Sequence, residues 1–366
     1  MTHPHADSLP AFDERDANAF AEQIGSVLDA GTVAVMLSIG HRTGLFDVLA
    51  DLDPATSSRI ASHAALAERY VREWLAVMVT GGVVRYDPPR RTYWLPPEHA
   101  ACLTRNAPLG NLALYGQHVA LMGAVQEQVI ARFETGEGMR YEDYPCFHQI
   151  MAEDSGQTVT DQLFDVILPL ADGLLPRLGS GIDVLDAGCG RGSALLALAA
   201  RFPRSRFVGY DLCPDAIVFA RRAADVAGLK NIRFEARDLA DYDETERFDL
   251  ITSFDAVHDQ KDPGGLIRSL YRALRVDGTY LMQDIGGSAH LENNMDFPMA
   301  SLLYAISCVH CTPVSLGQGG EGLGTMWGWE TAQRMLHEAG FASTERHVLP
   351  RDPMNVWFVS RKGAQS

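Results

Sequence analysis

Between Ala17 and Leu52 the apolar residues recur at helical spacing: Phe20, Ile24 and Leu28, then Val33, Val35, Met36, Ile39, Leu45, Phe46 and Leu49. Asp53-Pro54 breaks that pattern, and Thr56-Ser57-Ser58 supplies hydroxyls suited to capping the next helix. The spacing then predicts a short helix over Ser58–Ala64 and a longer one over Glu68–Thr80, closed by Gly81-Gly82. Val83–Tyr86 and Arg91–Leu95 alternate about Asp87-Pro88-Pro89 as the arms of a hairpin would. Two helices followed by a hairpin is the order of a winged helix.

From about Asn106 to Arg177 the pattern is helical, with Tyr115, Leu121, Val125 and Val129 expected inside, and the tract Tyr141–His148 interrupts it. After Ile182 the period changes. Short apolar strands (Ile182–Leu185, Arg206–Tyr210, Ile232–Ala236, Phe248–Ser253, Thr279–Gln283) alternate with amphipathic helices over Ser193–Arg201, Pro214–Ala227 and Pro263–Leu274. A last helix, Trp329–Ala339, precedes strands near Ser343–Val348 and Asn355–Ser360. Strands alternating with helices imply an α/β fold, a doubly wound parallel sheet with helical crossovers. The expected divisions are a loose segment over 1–16, a winged-helix-like domain over 17–105, a helical connector over 106–173 that walls the pocket, and the α/β domain over 174–366.

Composition narrows the function. A formal net charge of −16 repels phosphate backbones, so sequence-independent nucleic-acid binding is not expected. The N-terminus has neither the basic start nor the apolar core of a secretory signal, and the nearest apolar run, Thr32–Ile39, is far too short to span a membrane. Six cysteines, at 102, 146, 189, 213, 308 and 311, are too scattered for a disulfide framework and suit free thiols in the cytoplasm.

The chemistry concentrates at Asp183-Val184-Leu185-Asp186-Ala187-Gly188-Cys189-Gly190-Arg191-Gly192-Ser193, where a buried strand gives way to a helix. Glycines there allow a sharp bend and a close ligand approach, and strand tips at a switch point are where doubly wound sheets bind ligands. A dinucleotide fingerprint needs a glycine or alanine where Ser193 stands, and does not require the leading acid Asp186. A carboxylate at that place suits a cationic ligand instead, and S-adenosylmethionine carries both a sulfonium and an ammonium. Asp211 follows the next strand, placed to accept from both ribose hydroxyls. Asp238 follows the one after, placed to meet the adenine amino group. Taken singly, each acid reads equally well as a helix cap. Cys189, Leu212, Leu239, Phe254 and Asp255 complete the expected cofactor set.

Three acids in register with the glycine bend resemble the class I S-adenosylmethionine-dependent methyltransferases, over roughly Leu174–Lys362. That resemblance implies a Rossmann-like seven-stranded methyltransferase sheet ending in an antiparallel pair. Methyl transfer is an in-line displacement, so a base belongs at the end of the fourth strand, where Phe254-Asp255-Ala256-Val257-His258-Asp259-Gln260 stands. His258 is the candidate by its acid–base chemistry; the competing reading is a structural histidine. The stretch resembles plant-type small-molecule O-methyltransferases, in which a His-Asp-Trp element supplies the base and an N-terminal winged-helix-like domain mediates dimerisation. Gln260 replaces the tryptophan here, and the acid that orients the histidine has no evident counterpart; Asp259 could point to solvent.

Four runs (Phe147–Ser155, Phe254–Gln260, Tyr280–Ile285 and Tyr304–Cys311) resemble an actinobacterial and proteobacterial methyltransferase family with an N-terminal winged helix. That family implies cofactor binding and homodimerisation, and says nothing of the substrate. It also implies that Tyr144, Phe147 and His148 close over the cofactor. The insert Gly286–Trp327 is placed to shape an acceptor site, with Met295, Phe297, Met299, Tyr304 and His310 as wall candidates, joined by Phe147, His148 and Met151. Its Gly317–Gly324 stretch suits either a lid or a plain loop.

Cys308-Val309-His310-Cys311 invites a zinc reading. Tetrahedral zinc needs more ligands, and no second Cys/His pair has suitable spacing, so no metal is expected unless distant side chains complete a site. Two other classes compete with a small-molecule methyltransferase. A DNA-binding regulator is disfavoured because the would-be reader helix, Glu68-Arg69-Tyr70-Val71-Arg72-Glu73-Trp74-Leu75, matches its arginines with glutamates. A nicotinamide oxidoreductase is disfavoured by the glycine spacing.

Overall fold

The alternation after Ile182 folds in the computed structural model into a seven-stranded sheet of order β5-β4-β3-β6-β7-β9-β8. The structure describes residues 12–363. The parallel strands are β3 (Asp183–Ala187), β4 (Arg206–Asp211), β5 (Ile232–Ala236), β6 (Phe248–Phe254) and β7 (Leu274–Ile285). The last two, β8 (Ser343–Leu349) and β9 (Asp352–Arg361), pair antiparallel. Crossover helices are α9 (Ser193–Arg201), α10 (Pro214–Val226) and α11 (Pro263–Ala273), with α14 (Trp329–Ala339) ahead of the final hairpin.

Side chains alternate across a strand, and the sheet uses that period to build two cores. Val184, Phe207, Leu250, Leu281 and Trp357 face α9 and α10, packing with Leu195, Leu198, Ile217 and Ala220. Leu185, Val208, Ile251, Tyr280, Met282 and Phe358 face α11 and α14, packing with Leu266, Leu270 and Leu336. Each fully buried leucine here contributes about 1.5–3 kcal/mol of transfer free energy. Strand order reverses between β4 and β6 on either side of β3, which leaves a crevice at the strand tips.

The chain divides into two units, one running through Ala120 and the other from Leu121 onward. The first holds α1 (Glu14–Thr43), α2 (Leu45–Asp51), α3 (Ser57–Ala64), α4 (Glu68–Thr80) and the hairpin β1 (Arg85–Asp87) with β2 (Thr92–Trp94), then a short α5 (Pro97–Ala100). Asp13 caps α1 and Thr56 caps α3. Phe46, Leu49, Ile60, Val71, Trp74, Leu75 and Met78 form its core.

Three expectations for this unit change. Helix α1 begins at Glu14, ahead of the expected start at Ala17, and the rest of the segment expected to be loose, residues 1–11, lies outside the described residues. Phe20, Ile24 and Leu28 keep helical spacing but are exposed, at 61%, 41% and 68%. Because α1 is unbroken, it is long and apolar enough to cross a membrane by length and composition, as is the helix over Ala300–Gly317. A search for consecutive apolar residues does not anticipate either.

The helical connector, which begins in the first unit and continues in the second, is broken up. The helix α6 (Gly116–Thr135) and α7 (Phe147–Thr158) are followed over 160–170 by 3₁₀ and π turns, then α8 (Leu174–Ser180). Residues 106–111 are not helical, and Tyr115 is half-buried rather than internal. Leu121, Val125 and Val129 are buried as expected. Strand β7 starts at Leu274, earlier than expected. The insert Gly286–Trp327 carries an interrupted helix: α12 (Ala300–Ile306), a π turn over Ser307–Cys311, and α13 (Thr312–Gly317).

Candidate active site

An open cavity of about 980 Å³, counting its mouth, lies at the tips of β3, β4 and β6. One wall is the turn from β3 into α9. Gly188 has φ +80°, and a Cβ there would stand 2.5 Å from the Cβ of Ala256, so only glycine lets the turn pass the tip of β6. Gly190 has φ +50°, and its Cβ position meets nothing within 4 Å, which leaves bare backbone facing the cavity. The Gly188 and Cys189 amides donate to the Tyr210 carbonyl at 2.9 and 3.0 Å, tying the turn to β4.

Asp186 ends β3 almost fully buried, accepting from the Thr252 hydroxyl at 2.7 Å. Burial pushes its carboxyl up to about 7, against the pull of the Thr252 hydrogen bond. Asp211, at the tip of β4, accepts from the Gly190 amide (2.7 Å) and the Cys213 amide (2.9 Å), one bond to each oxygen. A carboxylate oxygen has two lone pairs, so each can still accept from a diol. Gly192, Cys189, Leu212, Leu239, Phe254 and Asp255 line the same cavity, as do Phe147, His148 and Met151 from α7.

Six site residues expected from sequence do not line this cavity: Asp238, Met295, Tyr304 and His310, together with Phe297, which packs with Leu303 and Met326, and the exposed Met299. Asp238 accepts from Lys261 Nζ at 3.0 Å and caps a short turn through the Ala240 amide, the plain capping role. Met295 is 79% exposed and is no wall residue. Tyr304 packs with Ile285, Leu303 and Met326, its hydroxyl accepting from Asn294 Nδ2. His310 is buried and stacks on Phe147 at 4.0 Å between centroids, one layer behind the cavity wall.

His258, the expected base, also departs from expectation. It is 2% exposed and does not line the cavity. Its Nδ1 stands 2.8 Å from Asp284 Oδ1, and its Nε2 stands 3.2 Å from Asp259 Oδ1. Burial alone would lower its pKa, but the carboxylates of Asp284 and Asp259 hold it well above the usual histidine value. Both ring nitrogens thus face carboxylates of the chain rather than the cavity.

Sequence reasoning missed three residues here. Asp284, on β7, is the orienting acid; it also accepts from Trp327 Nε1 at 3.0 Å and from the Ile285 amide. A lone acid inside an apolar strand was the available signal. Asp259 is buried rather than turned to solvent, lines the cavity, and accepts from the Tyr141 hydroxyl at 3.3 Å. Burial would raise its pKa, yet the charge of His258 outweighs that and holds it at about 2. Tyr141 lines the cavity from a turn that carries no motif.

Asp255 takes φ +54°, a left-handed conformation that costs a non-glycine residue about 1–2 kcal/mol. The turn aims its carboxyl into the cavity wall, where burial pushes its pKa up to about 7 despite the charge of His258. Its Oδ1 is buried and accepts no hydrogen bond. A buried carboxyl with an unused acceptor at a cavity is suited to a cation or a proton.

Comparison with known proteins agrees with this geometry. Residues 31–105 match the family model of the Rv2258c-like winged HTH domain, and residues 178–340 match that of a methyltransferase domain. Malonyl-[acyl-carrier protein] O-methyltransferase of Acetivibrio thermocellus is 28% identical over 121 residues, covering 33% of this chain and 42% of its own. A Nostoc punctiforme protein assigned as an O-methyltransferase superposes with a TM-score of 0.70 at 18% identity, covering 97% of this chain and 100% of its own. Human N-acetylserotonin methyltransferase in complex with S-adenosylmethionine gives 0.67 at 16%, covering 98% and 100%. At such identities the structural likeness shows the fold alone. The chain carries an S-adenosylmethionine-dependent methyltransferase domain, preceded by an Rv2258c-like winged helix. The chain spans 42%, 52% and 37% of the length of three curated relatives it matches.

Proposed function

We propose that this chain transfers the methyl group of S-adenosylmethionine to a hydroxyl of a small molecule held at the tips of β3, β4 and β6. One observation carries the reading: the glycine bend opens bare backbone to a cavity ringed by the buried carboxyls of Asp186, Asp211 and Asp255. That arrangement fits a ligand with a diol at one end and two positive charges at the other. Asp211 takes the ribose, and Asp186 faces the cationic end. Leu212 and Leu239, which line the same cavity, take the adenine ring. The bound cofactor supplies an activated methyl, and the chain supplies position and a proton acceptor. That acceptor is Asp255, whose Oδ1 is unused, rather than the enclosed His258, which acts as a positioning residue behind it at 3.9 Å.

Oxygen as the accepting atom draws support from the relatives described as O-methyltransferases, one acting on malonyl-[acyl-carrier protein], whose free oxygens belong to a carboxyl; the hydroxyl is this reading's own choice. Calorimetric titration with S-adenosylmethionine and its demethylated form is expected to show binding, and titration with NAD none; the reverse result sinks the reading. Asp255→Asn is expected to lower kcat about 10²–10⁴-fold while the cofactor Kd moves only a few-fold. A large loss of affinity with unchanged kcat would move Asp255 to a binding role.

We also propose that the first unit pairs two copies of the chain through α1. An apolar stripe of Phe20, Ile24, Val27 and Leu28, all more than 40% exposed, is the kind of surface that a partner covers. Helix α4 is less suited to DNA, since Arg69 pairs with Glu73 and Arg72 with Glu68 on its open face. Sedimentation at micromolar concentration is expected to give a dimer that Leu28→Glu dissociates; a monomeric wild type ends this proposal.

A further inference from the structure

Beside the cavity wall, a cluster that shares His258 with the proposed site brings together two segments far apart in the chain. His258 and Asp259 come from the turn after β6, and His310 and Cys311 from the π turn over Ser307–Cys311. The ligating atoms of His258, Asp259 and Cys311 all lie within 4.8 Å of one another. His258 Nε2 is 3.2 Å from Asp259 Oδ1, His310 Nδ1 is 3.9 Å from Asp259 Oδ2, and His310 Nδ1 is 3.6 Å from Cys311 Sγ. A tetrahedral zinc with bonds of about 2.0–2.3 Å holds its ligand atoms about 3.3–3.8 Å apart. The observed separations bracket that range.

Three further features point the same way. Asp259 is 6% exposed, and its Oδ1, though close to His258, accepts no hydrogen bond. The outer partners are those a metal site needs: Asp284 on His258 Nδ1, the Tyr141 hydroxyl on Asp259 Oδ2, and the Thr325 hydroxyl on Cys311 Sγ at 2.9 Å. A carboxylate on the far ring nitrogen fixes the tautomer that leaves Nε2 free for a metal. The π turn places His310 and Cys311, adjacent in sequence, both inside, while Cys308 is exposed; such turns recur at functional sites.

We infer that His258, Asp259 and Cys311 form a binding site for a divalent transition-metal ion of the zinc class, with His310 beside it. The site goes beyond methyl transfer and does not rest on it. It corrects the sequence expectation in a specific way: of the Cys308–Cys311 motif Cys311 supplies a ligand, and His258 with Asp259 complete the set. Binding converts the Cys311 thiol to a thiolate and releases its proton to solvent. The bound ion would pin the π turn to the tip of β6.

The test uses the full chain. Protein dialysed against Zn²⁺ and then metal-free buffer is expected to keep zinc in proportion to protein. Its cobalt form is expected to show a near-ultraviolet thiolate-to-cobalt band with visible bands of tetrahedral cobalt. Cys311→Ser removes the thiolate band, whereas Cys308→Ser and Cys213→Ser leave it. Asp284→Asn weakens zinc binding about 10–100-fold through the outer partner. The wild-type spectrum needs no variant to fold. Absence of both retained zinc and the thiolate band overturns the site, as does a band that survives Cys311→Ser.

Discussion

On the β3 side of the cavity, one run from Asp186 to Gly192 makes the wall. On the β6 side, the wall and the layer behind it combine Asp255, His258 and Asp259 with Tyr141, Asp284, His310, Cys311 and Thr325. The first wall is chiefly backbone: glycine conformations, and amides that donate to Asp211 and to the Tyr210 carbonyl. The second is chiefly buried charge, three carboxyls about one imidazole. Backbone walls tolerate changes beside them, because their geometry is local. A charged wall fails when one member is lost, because the remaining charges stay buried without a counterion.

The largest effect should therefore fall on the β6 side. His258→Ala leaves Asp259 and Asp284 buried without their cation and is expected to cost about 3–5 kcal/mol of folding stability, read from denaturant midpoints. A cost below about 1 kcal/mol is what a solvated pair would give, and would erase the contrast between the walls.

On the β3 side the expected effect is smaller and shows in pH. Burial raises the Asp186 pKa to about 7, so ionising it works against the folded state. Its contribution to stability is full below the unfolded carboxyl value of about 4 and is lost as pH rises toward about 7. A cationic ligand reverses the preference. Cofactor affinity should rise by up to about tenfold per pH unit from pH ~5 to ~7 and level off above. Asp186→Asn should flatten that profile and weaken binding at pH 8; an unchanged slope would remove Asp186 from the site. The smallest effect tests the insert. Met295→Ala should change stability by no more than about 0.5 kcal/mol and leave turnover alone, since the side chain meets solvent.

The α/β domain was legible from the chain because its signals are local. The sheet strands and the helices over Ser193–Arg201 and Trp329–Ala339 follow from periodicity and turn residues alone. So does the cofactor bend, since glycines and a leading acid within seven residues must act together wherever the strand ends. Phe20, Ile24 and Leu28 show the limit of periodicity: it marks an apolar face but not what covers it. Asp238 shows another, because a strand-tip acid reads the same whether it faces a ligand or a lysine.

What the chain order could not reveal is how residues dozens of positions apart meet. His258 drew notice as a base for its ring chemistry, yet its state depends on Asp284, 26 residues later, and on Asp259 beside it. His310 and Cys311 meet Asp259 and His258 of the turn after β6. Local geometry is written in neighbouring residues, whereas protonation and ligation depend on distances through space. Only the folded sheet, by bringing β6, β7 and the π turn to one end, sets those distances.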